Sequence, residues 1–249
     1  MSEWSYDQIA AVYATDMGLS MPFDDVGHYG ELAQCAGGPV LELGCGTGRI
    51  LLPLLRAGRD VTGVDRSLPM LAQLRRDGAD LAPRVAQMDL RALALSGRFR
   101  LILAPYSLIT YLTRSVDVDG FLTQVRELLD DDGMLLLDAF IPRPVASFED
   151  FRRDYARPHG DGTLERHKRI RQLEDGCNRI ERRYRLLDGK ERLAREFTTV
   201  EVIRPYAPDA LREMLLRNGY RGCTEAFDYG NTHDVTAARF FSIRARPQR

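Results

Sequence analysis

Apolar and polar positions along this chain change period twice. The first forty residues read as helical stretches with aromatic and acidic punctuation, Tyr6-Asp7 to Tyr13 and then Asp24-Asp25-Val26-Gly27-His28-Tyr29, before a Gly37-Gly38-Pro39 break. From Val40 the pattern becomes a short apolar run to Leu43, a glycine loop and an apolar helical stretch from Ile50 to Leu55. A stop at Gly58 and a second apolar run, Val61 to Val64, ending in Asp65, complete the unit. Short buried runs joined by a helix predict a βαβ unit. The alternation continues with Ser67 as N-cap of a helix through Leu74, and with strands at Arg84 to Met88 and Leu101 to Ala104. A helix near Phe121 to Leu129, an Asp132-Gly133 turn and a strand at Met134 to Asp138 follow. Repeated βα units predict a mostly parallel sheet with helices on both faces.

From Thr163 the period shortens to two. From Thr163 to Arg204 three long segments are separated by Asp175-Gly176 and Asp188-Gly189, and Asp-Gly between alternating stretches is a strong hairpin signal. An antiparallel meander is predicted. In its middle segment Ile180, Arg182, Tyr184 and Leu186 share one face, and Glu181, Arg183 and Arg185 share the other. A helix from Pro208 to Leu216, closed by Asn218-Gly219, and strands near Gly222 to Phe227 and Arg239 to Ala245 return the chain to the first sheet. The organisation expected is an N-terminal helical lid (1–39), a core (40–142), an antiparallel insertion capping the substrate (143–206) and a C-terminal completion of the core (207–249).

Composition adds exclusions. A 249-residue chain with 44% hydrophobic and 29% charged residues has enough apolar material for a full core. A net charge of −1 lacks the basic footprint of a nucleic-acid binder, although residues 152 to 195 hold 14 Lys/Arg against 8 Asp/Glu. That local excess reads either as the wet face of a half-exposed sheet or as a field that steers an acidic substrate. No apolar run reaches membrane-spanning length, and the first residues carry neither a basic leader nor an apolar stretch, so a cytoplasmic protein is expected. Cys35, Cys45, Cys177 and Cys223 form no C-x-x-C pair, so neither a metal site nor a disulfide framework is expected.

The chemistry concentrates at strand ends. Val40-Leu41-Glu42-Leu43-Gly44-Cys45-Gly46-Thr47-Gly48 is a buried strand entering a loop with glycine at every second position, where a ligand can lie against backbone with no Cβ in the way. A dinucleotide fingerprint would need G-x-G-x-x-G, and Arg49 fills its last glycine position, which argues against an NAD-dependent oxidoreductase. Asp65 ends the second strand, where a carboxylate can accept both hydroxyls of a ribose, and Asp89 ends the third.

On these residues the chain resembles the class I S-adenosylmethionine-dependent methyltransferases, with Val40 to Ala139 as continuous core and Pro208 to Ala245 as tail. Val61-Thr62-Gly63-Val64-Asp65, with Ser67 and Met70-Leu71, is similar to the family's second motif. The resemblance implies a Rossmann-like α/β fold with a seven-stranded sheet, and S-adenosylmethionine as cofactor with S-adenosylhomocysteine as product. It implies that Glu42, Gly44 and Gly46 surround the methionine part, Asp65 holds the ribose, Arg66 and Met70 flank the adenine, and Asp89-Leu90 reach its amino edge. Cys45, Gly48 and Ala104 complete that set. Tyr6 and Tyr13 read either as helix-packing aromatics or as the source of a ring that closes over the cofactor carboxylate, with Tyr13 the candidate. Within the class the chain looks most like small-molecule enzymes with an N-terminal D-x-x-x-Y-like segment, here Asp25 to Tyr29, and an insertion after the fifth strand. Amino-sugar N,N-dimethyltransferases and indole C-methyltransferases are among them. Where relatives often carry Asn or Ser after the fourth strand, this chain has Pro105-Tyr106-Ser107.

Methyl transfer needs an acceptor held in line with the breaking bond, and a modest base helps when the acceptor loses a proton. Candidate catalytic residues are Asp24, Asp25, His28 and Tyr106, and candidate substrate contacts are Phe23, Tyr29 and Tyr106. The expected acceptor is an amine or indole-like small molecule. An amino sugar carried on a nucleotide, an RNA and a non-catalytic cofactor-binding module are alternatives, and a homodimer is left open.

Overall fold

A computed structural model describes residues 5–17, 24–144 and 147–248. The chain divides into two compact units, residues 1–22 with 143–205 and residues 23–142 with 206–249. The N-terminal segment expected as one lid is thus shared between the units. Among the described residues no helix is long and apolar enough to cross a membrane.

The larger unit is built on seven strands: β1 (Val40–Leu43), β2 (Val61–Asp65), β3 (Arg84–Gln87), β4 (Phe99–Ala104), β5 (Leu129–Phe140), β10 (Tyr220–Phe227) and β11 (Phe240–Pro247). Their order is β10-β11-β5-β4-β1-β2-β3, parallel from β5 through β3, with β11 antiparallel to both neighbours. Alternate residues of the central strands feed two separate cores. Leu41, Ile102 and Leu135 pack on one side with α6 (Ser115–Leu128) and α7 (Pro208–Arg217). Val40, Leu101 and Leu136 pack on the other with α3 (Asp25–Ala36), α4 (Leu51–Arg56) and α5 (Leu68–Asp77). Burial on both faces is why these strands read as unbroken apolar runs.

Local signals explain the helix ends. Asp24 caps α3 by accepting the Gly27 N–H (2.8 Å), and the helix stops at Gly37 with φ 64°. Ser67 caps α5 by accepting the Met70 N–H (3.3 Å), and Pro208 opens α7. α6 starts at Ser115, six residues before the expected Phe121, because Val118 on its first turns also faces the core. β1 neighbours both β2 and β4, so the chain reverses direction across the sheet there and leaves a crevice beyond the carboxyl ends, the usual ligand position of such sheets.

The smaller unit holds α1 (Ser5–Ile9), α2 (Tyr13–Met17) and a four-stranded antiparallel sheet, β6 (Phe148–His159), β7 (Gly162–Gln172), β8 (Asn178–Leu187) and β9 (Leu193–Ile203), paired in that order. The two Asp-Gly turns sit where the spacing predicts. β6, however, is a fourth strand that the reading from Thr163 omits. Two register irregularities, between Phe148 and Arg152 and between Arg153 and Tyr155, break its period of two and place Phe148, Phe151 and Tyr155 at helix-like spacing. Asp16 is buried beneath this sheet, where Arg166 (2.5 Å), Tyr155 and Tyr184 (3.3 Å) donate to its carboxylate. On the other face Arg169 (2.6 Å) and Arg179 (3.0 Å) converge on Glu181, and Arg183 lies over the Phe151 ring (4.1 Å).

Candidate functional site

The glycine loop leaves β1 through three left-handed positions, Gly44 (φ 67°), Gly46 (φ 53°) and Gly48 (φ 86°), which only glycine adopts at little cost. Its shape is held by backbone bonds, Cys45 N–H to Val64 O (3.0 Å) and Gly48 N–H to Cys45 O (2.9 Å). Asp65 adds a side-chain clamp. One carboxylate oxygen accepts the Gly46 N–H (2.8 Å) and the other the Ser67 N–H (2.7 Å), so a strand-end carboxylate organises the loop before any ligand arrives. Cys45 points inward: it is buried beside Gly63, burial pushes its thiol well above the usual range, and only its backbone faces the loop.

Gly63 also explains how Arg49 replaces a fingerprint glycine. A Cβ on Gly63 would meet the Leu51 side chain and come within 2.8 Å of Cys45 Sγ, so close approach of helix to strand is achieved from the strand side. Arg49 is then free to turn outward, where it grips Asp25 with both guanidinium nitrogens (2.7 and 2.7 Å). Beneath the loop, Glu42 is fully buried, and one of its oxygens, Oε2, has no hydrogen-bond partner among the described residues. Burial raises its pKa to about 8 against the opposing charge of Arg49.

The other residues expected around a cofactor lie at the ends of β2, β3 and β4 or just beyond them. Asp89 is gripped by the Arg91 side chain (2.7 and 2.9 Å), which lowers its pKa to about 2, with Arg66 3.6 Å away. Leu90 is half-buried on the core, and Arg66 is exposed. Met70 is fully buried, while Leu68 is the exposed apolar residue of that turn (53%). Ala104 is buried at the end of β4. Tyr13 belongs to the smaller unit, its ring edge-on to Tyr6 at 6.0 Å. Phe23 lies outside the described residues.

Beyond β4 and β5 a second cluster forms. Tyr106 and Ser107 take left-handed φ of 55° and 59°, an arrangement costing about 1–3 kcal/mol per residue unless the surroundings enforce it. Buried Asp138, near the end of β5, enforces it: its Oδ1 accepts the Ser107 N–H (3.1 Å), while Ser107 Oγ accepts the Phe140 N–H (2.8 Å). Asp138 Oδ2 accepts the hydroxyls of Tyr29 and Tyr229, the latter at 3.0 Å. Burial raises the Asp138 pKa to about 6 against these donors, and pushes the phenols up as well. The His28 ring lies tilted 4.9 Å from that of Tyr229; its Nε2 is buried without a partner among the described residues, and burial lowers its pKa, which favours the neutral ring at pH 7. Phe140, 47% exposed, and Phe240 continue the aromatic surface from Tyr106 (5.5 and 5.8 Å).

The structure therefore gathers Tyr29, His28 and Tyr106 in one unit around a carboxylate the sequence reading passes over. Asp24 is the N-cap of α3, and Asp25 is in the ion pair with Arg49. Asp138 carried the same signal as Asp65 and Asp89, an acid at a strand's carboxyl end. Tyr229 carried none: it is presented by a left-handed turn (Asp228 φ 46°, Tyr229 φ 57°) that Asp228 holds by accepting the N–H groups of Arg239 (2.9 Å) and Phe240 (2.8 Å).

Residues 40–133 match a family profile described as "Methyltransferase domain". A ubiquinone biosynthesis O-methyltransferase of Cereibacter sphaeroides is 29% identical over 141 residues, 55% of this chain and 50% of that protein. The chain spans about half the length of the curated relatives it matches. Among solved structures, the CcbJ methyltransferase of Streptomyces caelestis superposes with a TM-score of 0.81 over 100% of both chains at 24% identity. The sugar N-methyltransferase KedS8 of a Streptoalloteichus species does so with a TM-score of 0.76 over 96% of this chain and 93% of its own, at 19% identity. Residues 40–133 thus resemble a methyltransferase domain, and the fold around them is that of solved methyltransferases.

Proposed function

We propose that this chain binds S-adenosylmethionine and methylates a nitrogen or carbon of a small molecule, an amine or indole-like compound, leaving S-adenosylhomocysteine. The observation that carries the reading is the unpartnered Glu42 Oε2, buried beneath a glycine loop that Asp65 already holds open. A buried carboxylate with a free oxygen suits a cationic partner, and the cofactor's ammonium group is one. Glu42 with Gly44, Cys45, Gly46 and Gly48 would hold the methionine part, Asp65 the ribose, Arg66, Met70, Asp89 and Leu90 the adenine, and Ala104 the floor beneath. When bound, the cofactor supplies an electrophilic methyl group on a sulfonium.

The acceptor belongs against Tyr106, Phe140 and Tyr229, where aromatic faces attract cations and planar rings alike. His28 Nε2, neutral and unpartnered, is the nitrogen suited to take the proton an amine or indole carbon loses. A second reading, N-methylation of an amino sugar, is supported by the likeness along nearly the whole chain to the structure named as a sugar N-methyltransferase.

Calorimetric titration with S-adenosylhomocysteine tests the cofactor: wild type binds, and Gly46→Val abolishes binding without unfolding the protein. A panel of an indole amine, a nucleotide-linked amino sugar and a short RNA, read by mass spectrometry for added methyl, tests the acceptor. Absent binding, or methylation of RNA alone, would sink this reading.

A further inference from the structure

We infer that Asp138 is a positioning residue for methyl transfer, acting through the three segments it binds rather than on the acceptor; this rests on the methyltransferase reading above. Its two carboxylate oxygens divide the work. Oδ1 takes the Ser107 N–H and so fixes the turn that presents Tyr106 after β4, while Oδ2 takes the hydroxyls of Tyr29 from α3 and Tyr229 from the turn before β11. The two hydroxyls also lie 3.2 Å apart. Each presented tyrosine outside α3 sits on a left-handed turn, and such turns persist only where neighbours over-determine them.

The same carboxylate therefore couples two strained turns with a helix, at the strand ends where an acceptor would meet the methyl group. A carboxylate suits this task because it offers acceptor sites in several directions at once, whereas an amide offers one acceptor atom and two donors. The glycine loop is held from another strand end, where Asp65 accepts the Gly46 and Ser67 N–H groups. Loss of Asp138 should disturb the acceptor side and spare the cofactor side.

Asp138→Asn, Asp138→Ala and Tyr229→Phe, in the full-length protein, test this by three measurements. Hydrogen exchange across residues 105–108 reports the turn, titration with S-adenosylhomocysteine reports the cofactor side, and steady-state turnover of the best acceptor from the panel reports transfer. In Asp138→Ala, exchange at 105–108 should rise at least about tenfold and kcat fall at least about tenfold. S-adenosylhomocysteine affinity and the KM for S-adenosylmethionine should stay within about threefold. Asp138→Asn should recover part of kcat. Tyr229→Phe, which keeps the carboxylate, should lower kcat with the 105–108 turn still protected, and it decides the matter if Asp138→Ala does not fold. Unchanged kcat in these variants, or equal losses of kcat and cofactor affinity, would overturn the inference. If the wild type binds no S-adenosylhomocysteine, the methyltransferase reading fails and this inference with it, whereas normal wild-type binding and turnover with protected 105–108 in Asp138→Ala refutes the inference alone.

Discussion

Arg49 and Asp25 face each other in a two-pronged ion pair, 2.7 Å at each contact, that joins the residue after the glycine loop to the first turn of α3. Asp25 is almost fully buried, and Arg49 retains 28% side-chain exposure. Removing Arg49 strands a buried carboxylate, so Arg49→Ala should destabilise the protein by about 2–4 kcal/mol, somewhat below the figure for a fully buried pair. Denaturant melts should show the loss, and Arg49→Met with Asp25→Leu together should recover most of it. Should Asp25→Asn abolish turnover and leave the melt unchanged, Asp25 would be a catalytic residue after all.

Glu42 makes cofactor binding release a proton. With its pKa raised to about 8, the carboxyl is mostly protonated at pH 7 in the free protein. A bound ammonium favours the charged form, so the pKa falls on binding and the proton leaves. Affinity for S-adenosylhomocysteine should therefore rise with pH between about 6 and 8, the range set by that raised value. Titrations at pH 7 in buffers of different ionisation enthalpy should show release of up to about one proton, absent in Glu42→Gln. Equal heats in all buffers would mean that Glu42 does not meet the ammonium.

Asp65 should matter to the loop as well as to the ligand. Asp65→Ala removes the acceptor for two backbone N–H groups, at Gly46 and Ser67, in addition to any ribose contact. An affinity loss of about 1.5–3 kcal/mol for S-adenosylhomocysteine is expected, accompanied by faster exchange at residues 44–48 in the free protein. Wild-type affinity in the variant would show that the ribose is held elsewhere.

Two glycines with similar backbone angles should respond differently to alanine. Gly48 (φ +86°) has Leu52 Cγ and Leu74 Cγ 2.8 and 2.9 Å from where a Cβ would sit, whereas Gly58 (φ +73°) has nothing within 4 Å. Gly58→Ala should cost about 1–2 kcal/mol from backbone strain alone, and Gly48→Ala about 2–4 kcal/mol once crowding is added. Equal melting shifts would show that Leu52 and Leu74 give way freely.

In the smaller unit, Asp16 gathers Arg166, Tyr155 and Tyr184, while Arg157 donates to the Thr15 carbonyl (3.0 Å). Asp16→Ala leaves Arg166 its second partner, Asp154 (2.7 Å), and Arg157 its hold on the Thr15 carbonyl, but removes the carboxylate anchor of α2. Exchange across residues 5–17 should rise well before exchange in β7 and β8 changes, and uniform protection would refute the anchoring role.

Much of this arrangement was legible because it is local. Val40 to Leu43 is apolar at every position except Glu42, Gly44, Gly46 and Gly48 mark left-handed turns, and Asp65 ends the next apolar run, so strand, loop and clamp follow from neighbours in sequence. Ser67, Pro208 and the two Asp-Gly turns likewise announce themselves through backbone preferences that act over a few residues. β6 escaped because its bulges remove the period that defines a strand. The acceptor-side cluster escaped for a different reason: Tyr29 and Tyr229 meet Asp138 across separations of 109 and 91 residues. Nothing in the spacing of those three residues encodes a contact. Only the strand order, which sets α3 and the turn before β11 beside the end of β5, brings their oxygens within hydrogen-bonding reach.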